Sequence, residues 1–463
     1  MSQASGPEER RAAPPLYREQ VLTVEPHGIA PISPAERHGH PRALATLWFA
    51  ANMGLPVWLV GALALGLGLG FPTALAAILL GNLIGCALLA LTASMGPAIG
   101  MPQLPFTRHS FGRRGVYLPA VLNWLSSCGW YAVNSVVGTL ALVRLTTLPA
   151  GLALLLLTVG QVGLGVYGYN LIHRFEALSA GLLAALFLLM TAIGLPQARL
   201  GLPARLAGAD LLGAFVLMTT AVAAYVFSWA PYAADYARYL PAATPKRQVF
   251  AAVFGGAFVS CVWLQLLGAA VATGGRSAAP IDLVVQVMGR FWIPALVAVV
   301  VGTLAANTLN IYTGALSVLT LEVPLPRWGA VLAVGVLGGG LAAYGLSGLA
   351  AKYENFLLLV SYWIGPWLAI VVVDFFTQPE AGVSAVRRDP AIRWAGVTAF
   401  VVGLACSVPF MSSALYVGPL ARRLHGADLA YYVGMGVAGA VYAALRRVGA
   451  GRAAPGAAVR PAG

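Results

Sequence analysis

Stacking and hydrogen-bonding side chains in this chain sit inside stretches that are otherwise apolar. In residues 116–140, VYLPAVLNWLSSCGWYAVNSVVGTL, the positions Asn123, Ser126, Trp130 and Asn134 recur at helical spacing and share one stripe. Residues 291–317, FWIPALVAVVVGTLAANTLNIYTGALS, carry Thr303, Asn307, Asn310 and Tyr312. In residues 225–241, YVFSWAPYAADYARYLP, Ser228 and Trp229 precede Pro231, and Asp235 and Arg238 follow it. A fourth stretch, TLWFAANMGLPVWLVGALALGLGLG (46–70), is interrupted by Asn52, Gly54 and Pro56. An indole supplies a stacking face and an amide supplies both donors and acceptors. Together they suit a neutral, flat, hydrogen-bonding solute such as a nucleobase. A free amino acid, its charged ends met by helix termini, stays open on the same residues, and so does a receptor that binds without transporting.

The elements that position these groups are membrane spans. The chain has 463 residues, 59% hydrophobic and 9% charged, with mean hydropathy +0.81; soluble domains carry roughly 25% charged residues. Twelve spans are predicted, near 43–70, 72–94, 116–142, 148–168, 176–195, 210–232, 248–272, 292–319, 327–346, 352–376, 393–411 and 427–446. Of the 28 Lys and Arg, 20 fall in the tails and loops on one side, which places both termini in the cytoplasm. The net charge of +13 therefore orients the chain against anionic lipid and implies no nucleic-acid partner. Residues 1–42 read as a cytoplasmic tail and 447–463 as a second. The cysteines, Cys86, Cys128, Cys261 and Cys406, read as small buried residues within spans.

Adding 177 to the limits of the second to fifth spans lands close to the seventh to tenth, and Asn52 lands on Trp229. Five spans is an odd number, so the second copy enters from the opposite side. The chain divides into a repeat at 43–195, an inverted repeat at 196–376 and two further spans at 377–446. Inverted repeats that each begin with a Gly/Pro-interrupted helix point to a solute site at their interface. Gly81-Asn82-Leu83-Ile84-Gly85 is assigned to helix packing. Every Asp and Glu is expected in a tail, a loop or near a span end, and all six His outside the apolar centres. An intramembrane enzyme would need a nucleophile–base pair or clustered carboxylates, and a channel a filter or charged rings. Neither is legible, no metal-ligand cluster stands out, and no cofactor is implied.

Five stretches, taken as a set, resemble the nucleobase:cation symporter-1 family, particularly its purine–cytosine permease branch. They are EPHGIAPISPAER (25–37), the loop at 100–115 with Gln103, Arg108, Phe111 and Gly112, GWYAVN (129–134), SWAPYAADYARYLP (228–241) and NTLNIYTGALS (307–317). The resemblance implies an all-α, LeuT-like fold of two inverted five-helix repeats plus two helices. It also implies import of a nucleobase by cation-coupled alternating access across the inner (plasma) membrane. By the same likeness Trp130 stacks on the base, Asn134 hydrogen-bonds it, and Asn307, or Asn310 in a shifted alignment, adds an amide. Trp229 and Ser228 then supply the contact of the sixth span. The coupling ion is H+ or Na+, with Asn52, Thr303 and Asp235 as candidate ligands. Asp235 has the alternative of pairing with Arg238 at the cytoplasmic surface.

Overall fold

The computed structural model describes residues 28–167, 169–274, 280–347, 362–377, 390–413 and 415–453. The N-terminal tail as far as residue 27, much of the expected tenth span and the last ten residues lie outside the described residues. Where hydrocarbon replaces water, backbone groups must be satisfied within the chain, and the described residues are helical apart from one isolated β-bridge, Ser412 to Val417. Helices α1 (Pro41–Ala51) and α2 (Leu55–Gly66) form one span bent by 58°. They are followed by α3 (Phe71–Ala93), α4 (Tyr117–Thr146), α5 (Ala150–Tyr167), α6 (Tyr169–Gly194) and α7 (Gly208–Phe227). A short turn leads to α8 (Ala233–Ala237), then α9 (Lys246–Ala272), α10 (Trp292–Thr320) and α11 (Arg327–Gly345). The chain closes with α12 (Ile364–Thr377), α13 (Trp394–Ser407) and α14 (Ala430–Ala453).

Among the described residues, eight helices are long and apolar enough to cross a membrane, and the bent α1–α2 pair makes a ninth. The helices α12, α13 and α14 stand where the last three expected spans fall, the first two being shorter apolar pieces. The 177-residue offset holds in the coordinates: α3 shifted gives 248–270 against Lys246–Ala272, and α5 shifted gives 327–344 against Arg327–Gly345.

Two expectations are corrected. The stretch between the expected spans 148–168 and 176–195, with His173 and Arg174, is helical, because α6 begins at Tyr169. It carries Glu176 into the fold, fully buried in the eighth position of the helix. The polar run hid a helix whose ionisable side chains partly turn inward. Cys406 is exposed, while Cys86, Cys128 and Cys261 are buried as expected.

Small residues let the helices touch backbone to backbone. A Cβ at Gly81 or Gly85 of α3 would come within 2.6 and 2.7 Å of the carbonyls of Thr219 and Ala223 on α7. Between them Asn82 Nδ2 donates to Gln265 Oε1 of α9 at 2.6 Å. On α9, a Cβ at Gly268 would overlap the Trp58 carbonyl oxygen of α2. The connection after α3 folds inward as three short turns, with Gln103, Ser110 and Phe111 buried. Its far end is held by Asp374 of α12, whose carboxylate accepts from His109 Nδ1 (2.6 Å), Ser110 Oγ (2.8 Å), Tyr442 OH (2.8 Å) and Arg446.

The α2–α9 contact yields a direct prediction. Gly268→Ala should cost about 1–3 kcal/mol through forced separation of the helices, read as a lower melting temperature in detergent. Gly255→Ala on the same helix faces open space and should change stability by no more than about 1 kcal/mol.

Candidate substrate site

Both interrupted spans have identifiable causes. The first helix stops at Ala51, where Asn52 turns its Nδ2 back onto the Trp48 carbonyl at 2.7 Å. Gly54 is extended, and Pro56 stands in the first turn of α2. The freed backbone meets α10: a Cβ at Gly302 would lie 2.5 Å from the Met53 carbonyl oxygen, so only glycine admits this approach. In the sixth span Pro231 offers no N–H, and its ring excludes the carbonyl four residues earlier. That carbonyl belongs to Phe227, the last residue of α7. Ser228 Oγ caps the end by donating to the Tyr225 carbonyl at 2.7 Å, and one tight turn, Ala230–Tyr232, leads into α8.

Around these breaks lies an aromatic wall. Trp130 of α4 meets Tyr225 of α7 edge to face, with centroids 5.5 Å apart at 88°. One turn beyond Tyr225, Trp229 makes edge contacts with Trp48 of α1 (5.7 Å) and Tyr232 (5.6 Å). Tyr232 OH lies 2.9 Å from Ser127 Oγ, tying the second break to α4. Trp363 donates through Nε1 to Ser126 Oγ at 3.2 Å. Trp130, Asn134, Tyr225, Ser228 and Trp229 each retain 4–5% exposure, whereas the neighbouring Trp48, Tyr131 and Asn307 keep none. The Trp130–Tyr225 contact thus brings the expected residues of α4 and the sixth span together. Asn134 donates one N–H to the Trp130 carbonyl at 2.9 Å, which leaves its second N–H and its oxygen for a solute.

The two amides of α10 differ. Asn307 Nδ2 donates to the Tyr131 carbonyl and to Ser135 Oγ, both at 3.0 Å, and its Oδ1 accepts from Asn310 Nδ2 at 3.1 Å. Both of its N–H groups are thus used in clamping α10 to α4. Asn310 keeps one N–H and a buried carbonyl oxygen with no partner. Both are fully buried, and of the two Asn310 keeps the unused hydrogen-bonding capacity.

The three candidate cation ligands do not form one cluster. Thr303 packs on Gly138 of α4, its hydroxyl without a partner, and Asn52 Oδ1 is also without one. Asp235 is buried, its Oδ1 accepting from the Gln103 backbone N–H and its Oδ2 from Thr313 Oγ1, both at 2.8 Å. Thr313 stands ten residues after Thr303 on one helix, a separation of about 15 Å. Asp235 and Arg238, paired near the cytoplasmic surface in the alternative reading, are both buried within the chain. Arg238 is fully buried and donates to the Gly28 carbonyl (2.9 Å) and Tyr312 OH (3.0 Å). Trp48, Tyr225 and Tyr232 were missed as wall residues. Tyr225 stands one helical turn before Trp229, a spacing the sequence did offer.

Known proteins resemble this chain along most of its length. The sequence model of the family described as permease for cytosine/purines, uracil, thiamine, allantoin matches residues 31–434. YxlA of Bacillus subtilis, by name a candidate purine-cytosine permease, is 30% identical over 92% of this chain and 96% of its own. The purine-cytosine permease fcyB of Emericella nidulans is 28% identical over 92% of this chain and 89% of its own. Among solved structures, Mhp1, a nucleobase-cation-symport-1 family transporter in a closed conformation with bromovinylhydantoin bound, has a TM-score of 0.77. It is 20% identical, with 92% of this chain and 96% of that chain covered. The LeuT-like polytopic helical fold is thereby shown. A match spanning nearly the whole chain places this protein in the family of permeases for cytosine and purines, uracil, thiamine and allantoin.

Proposed function

We propose that this permease is a secondary active transporter that imports a nucleobase or a related planar heterocycle by cation-coupled alternating access. Family membership supports the reading, as do relatives named as purine-cytosine permeases. The observation that carries it is the wall of Trp130, Tyr225 and Trp229, with the amide of Asn134 one turn from Trp130. No ionised side chain joins that wall among the described residues, so an uncharged, flat solute loses no charge-solvation energy on entering it. Trp130 is the stacking platform, Asn134 and Asn310 read the hydrogen-bonding edge, and Trp229 with Ser228 closes the side formed by the sixth span. Residues 43–195 and 196–376 are the two repeats that rock about this site. The transporter sits in the cell's inner membrane with both termini cytoplasmic, and its coupling ion is H+ or Na+.

Cells expressing the protein should accumulate at least one radiolabelled base from a panel of cytosine, adenine, guanine, hypoxanthine, uracil and allantoin. Trp130→Ala should weaken base affinity about 5- to 150-fold, as expected for losing about 1–3 kcal/mol of stacking, with membrane abundance unchanged. Uptake retained in Trp130→Ala rejects the stacking role. Amino-acid or amine uptake that no base competes with rejects the nucleobase reading, and saturable binding without counterflow in proteoliposomes identifies a receptor.

The amides of α10 separate by phenotype. Asn307→Ala should lower the melting temperature in detergent, because it removes a buried clamp of two hydrogen bonds worth roughly 1 kcal/mol each. Asn310→Ala should leave the melting temperature within a few degrees of wild type and raise the KM for the base at least tenfold.

A further inference from the structure

One ionisable group inside the bundle has no role in the site described above. Glu176 of α6 is fully buried, and neither carboxylate oxygen has a hydrogen-bond partner. Its helix packs on α1, the first half of the broken span, and on α10. The side chain that faces it is Thr308 of α10, which lies between Asn307 and Asn310.

Among the described residues, no neighbouring ionisable group hydrogen-bonds either oxygen. On its own helix, His173 one turn earlier contacts Tyr236 with centroids 6.5 Å apart and lies near His38. Arg174 is exposed. From α10 the titratable residue is Tyr312, one turn past Thr308, whose hydroxyl accepts from Arg238. The other neighbours, α1, α5, α9 and the helix Pro280–Met288, contribute the exposed Arg42, Tyr167, Lys246, Arg247 and Asp282 and the buried thiol of Cys261. Among the described residues no cation is placed to neutralise Glu176.

A carboxylate in that position would be unpaired in a low-dielectric interior, which costs far more than burying the neutral acid. The direction of the neighbouring hydrogen bond points the same way. Thr308 Oγ1 already donates its proton to the Ala305 carbonyl at 2.7 Å, so it presents only lone pairs to Glu176. Lone pairs repel an anion and accept from a carboxylic O–H. A sodium ion would need several converging oxygens, and here one hydroxyl is on offer.

We propose that Glu176 is the proton-carrying residue of this transporter, holding the coupling proton as a buried carboxylic acid beside Thr308. The proposal rests on the transport reading and assigns its ion. Protonation favours the closed arrangement, in which α6 seals Glu176 against α1 and α10. Release of the proton favours an arrangement that admits water to the carboxylate, and the equilibrium shifts between the two. Because Thr308 lies between the two amides of α10, the proton state of Glu176 acts on the segment that reads the solute.

In proteoliposomes with a proton gradient and no sodium, wild-type protein should accumulate the base. Glu176→Gln, the isostere of the protonated acid, should lose all accumulation above equilibrium while keeping base-for-base counterflow within about threefold of wild type. Glu176→Asp should retain part of the accumulation. Gradient-driven accumulation by Glu176→Gln equal to wild type overturns the proposal, and so does wild-type accumulation that follows sodium and ignores the proton gradient.

A second measurement needs no variant and no substrate. Dicyclohexylcarbodiimide reacts with protonated carboxyls in apolar surroundings: the acid adds across the carbodiimide and rearranges to an N-acylurea, with no leaving group. Mass spectrometry of the wild-type protein in membranes should find the adduct on Glu176, at a yield that falls as the pH is raised. An unmodified Glu176 overturns the proposal. If no base in the panel is transported, the nucleobase reading fails while this labelling still decides whether Glu176 holds a proton.

Discussion

A helix cannot be interrupted inside a bilayer unless something other than lipid meets the backbone groups it frees. This chain is interrupted twice, after Ala51 and after Phe227. In the first break Gly302 lets α10 approach until the Met53 carbonyl lies against it; in the second, Ser228 and a tight turn take up the loose end. The helices that shelter the breaks, α4 and α10, are also those that bear the amides. Shelter and site are therefore built from one set of contacts. Removing the small residues at these crossings would push the helices apart.

Polar groups within the bundle divide by what they have left to offer. Asn307 is committed to joining α10 to α4, whereas Asn310, three residues on, keeps a carbonyl and an N–H in reserve. Asp235 and Asp374 are each surrounded by donors and knit the inward-folded connection after α3 to α10 and α12. Full satisfaction of this kind rigidifies. Among the groups that remain open, Asn52 Oδ1, Thr303 Oγ1, Asn310 Oδ1 and the carboxylate of Glu176 lie on the broken first span and on α10 and α6.

Much of the architecture was legible because membrane burial writes length and hydropathy directly into sequence. The limits of α3 and α9 to α11 fall within a few residues of the spans read from composition, and the 177-residue offset recurs in the helix boundaries. Trp130, Asn134 and Trp229 are conspicuous in sequence because an indole or amide far from the interface stands out in an apolar run, and the structure links Trp130 to the sixth span through Tyr225. Other features were hidden for physical reasons. Glu176 and His173 adjoin Arg174 and resemble a solvated loop, although their helix turns two of the three inward. Whether Asn307 or Asn310 is free depends on partners on α4 that no spacing rule gives. The separation of Asp235 from Thr303 likewise follows from tertiary contacts of Asp235 with Gln103 and with Thr313, ten residues further along α10 than Thr303.

The central claim is that a planar, uncharged base lies between α4 and the second break. It is tested most directly by irradiating purified protein with a tritiated azidopurine and mapping the adduct by mass spectrometry. The account predicts labelling confined to peptides containing Trp130–Asn134, Tyr225–Tyr232 or Asn310, suppressed by excess unlabelled base. Labelling confined to other helices, or labelling that unlabelled base leaves unchanged, would contradict it.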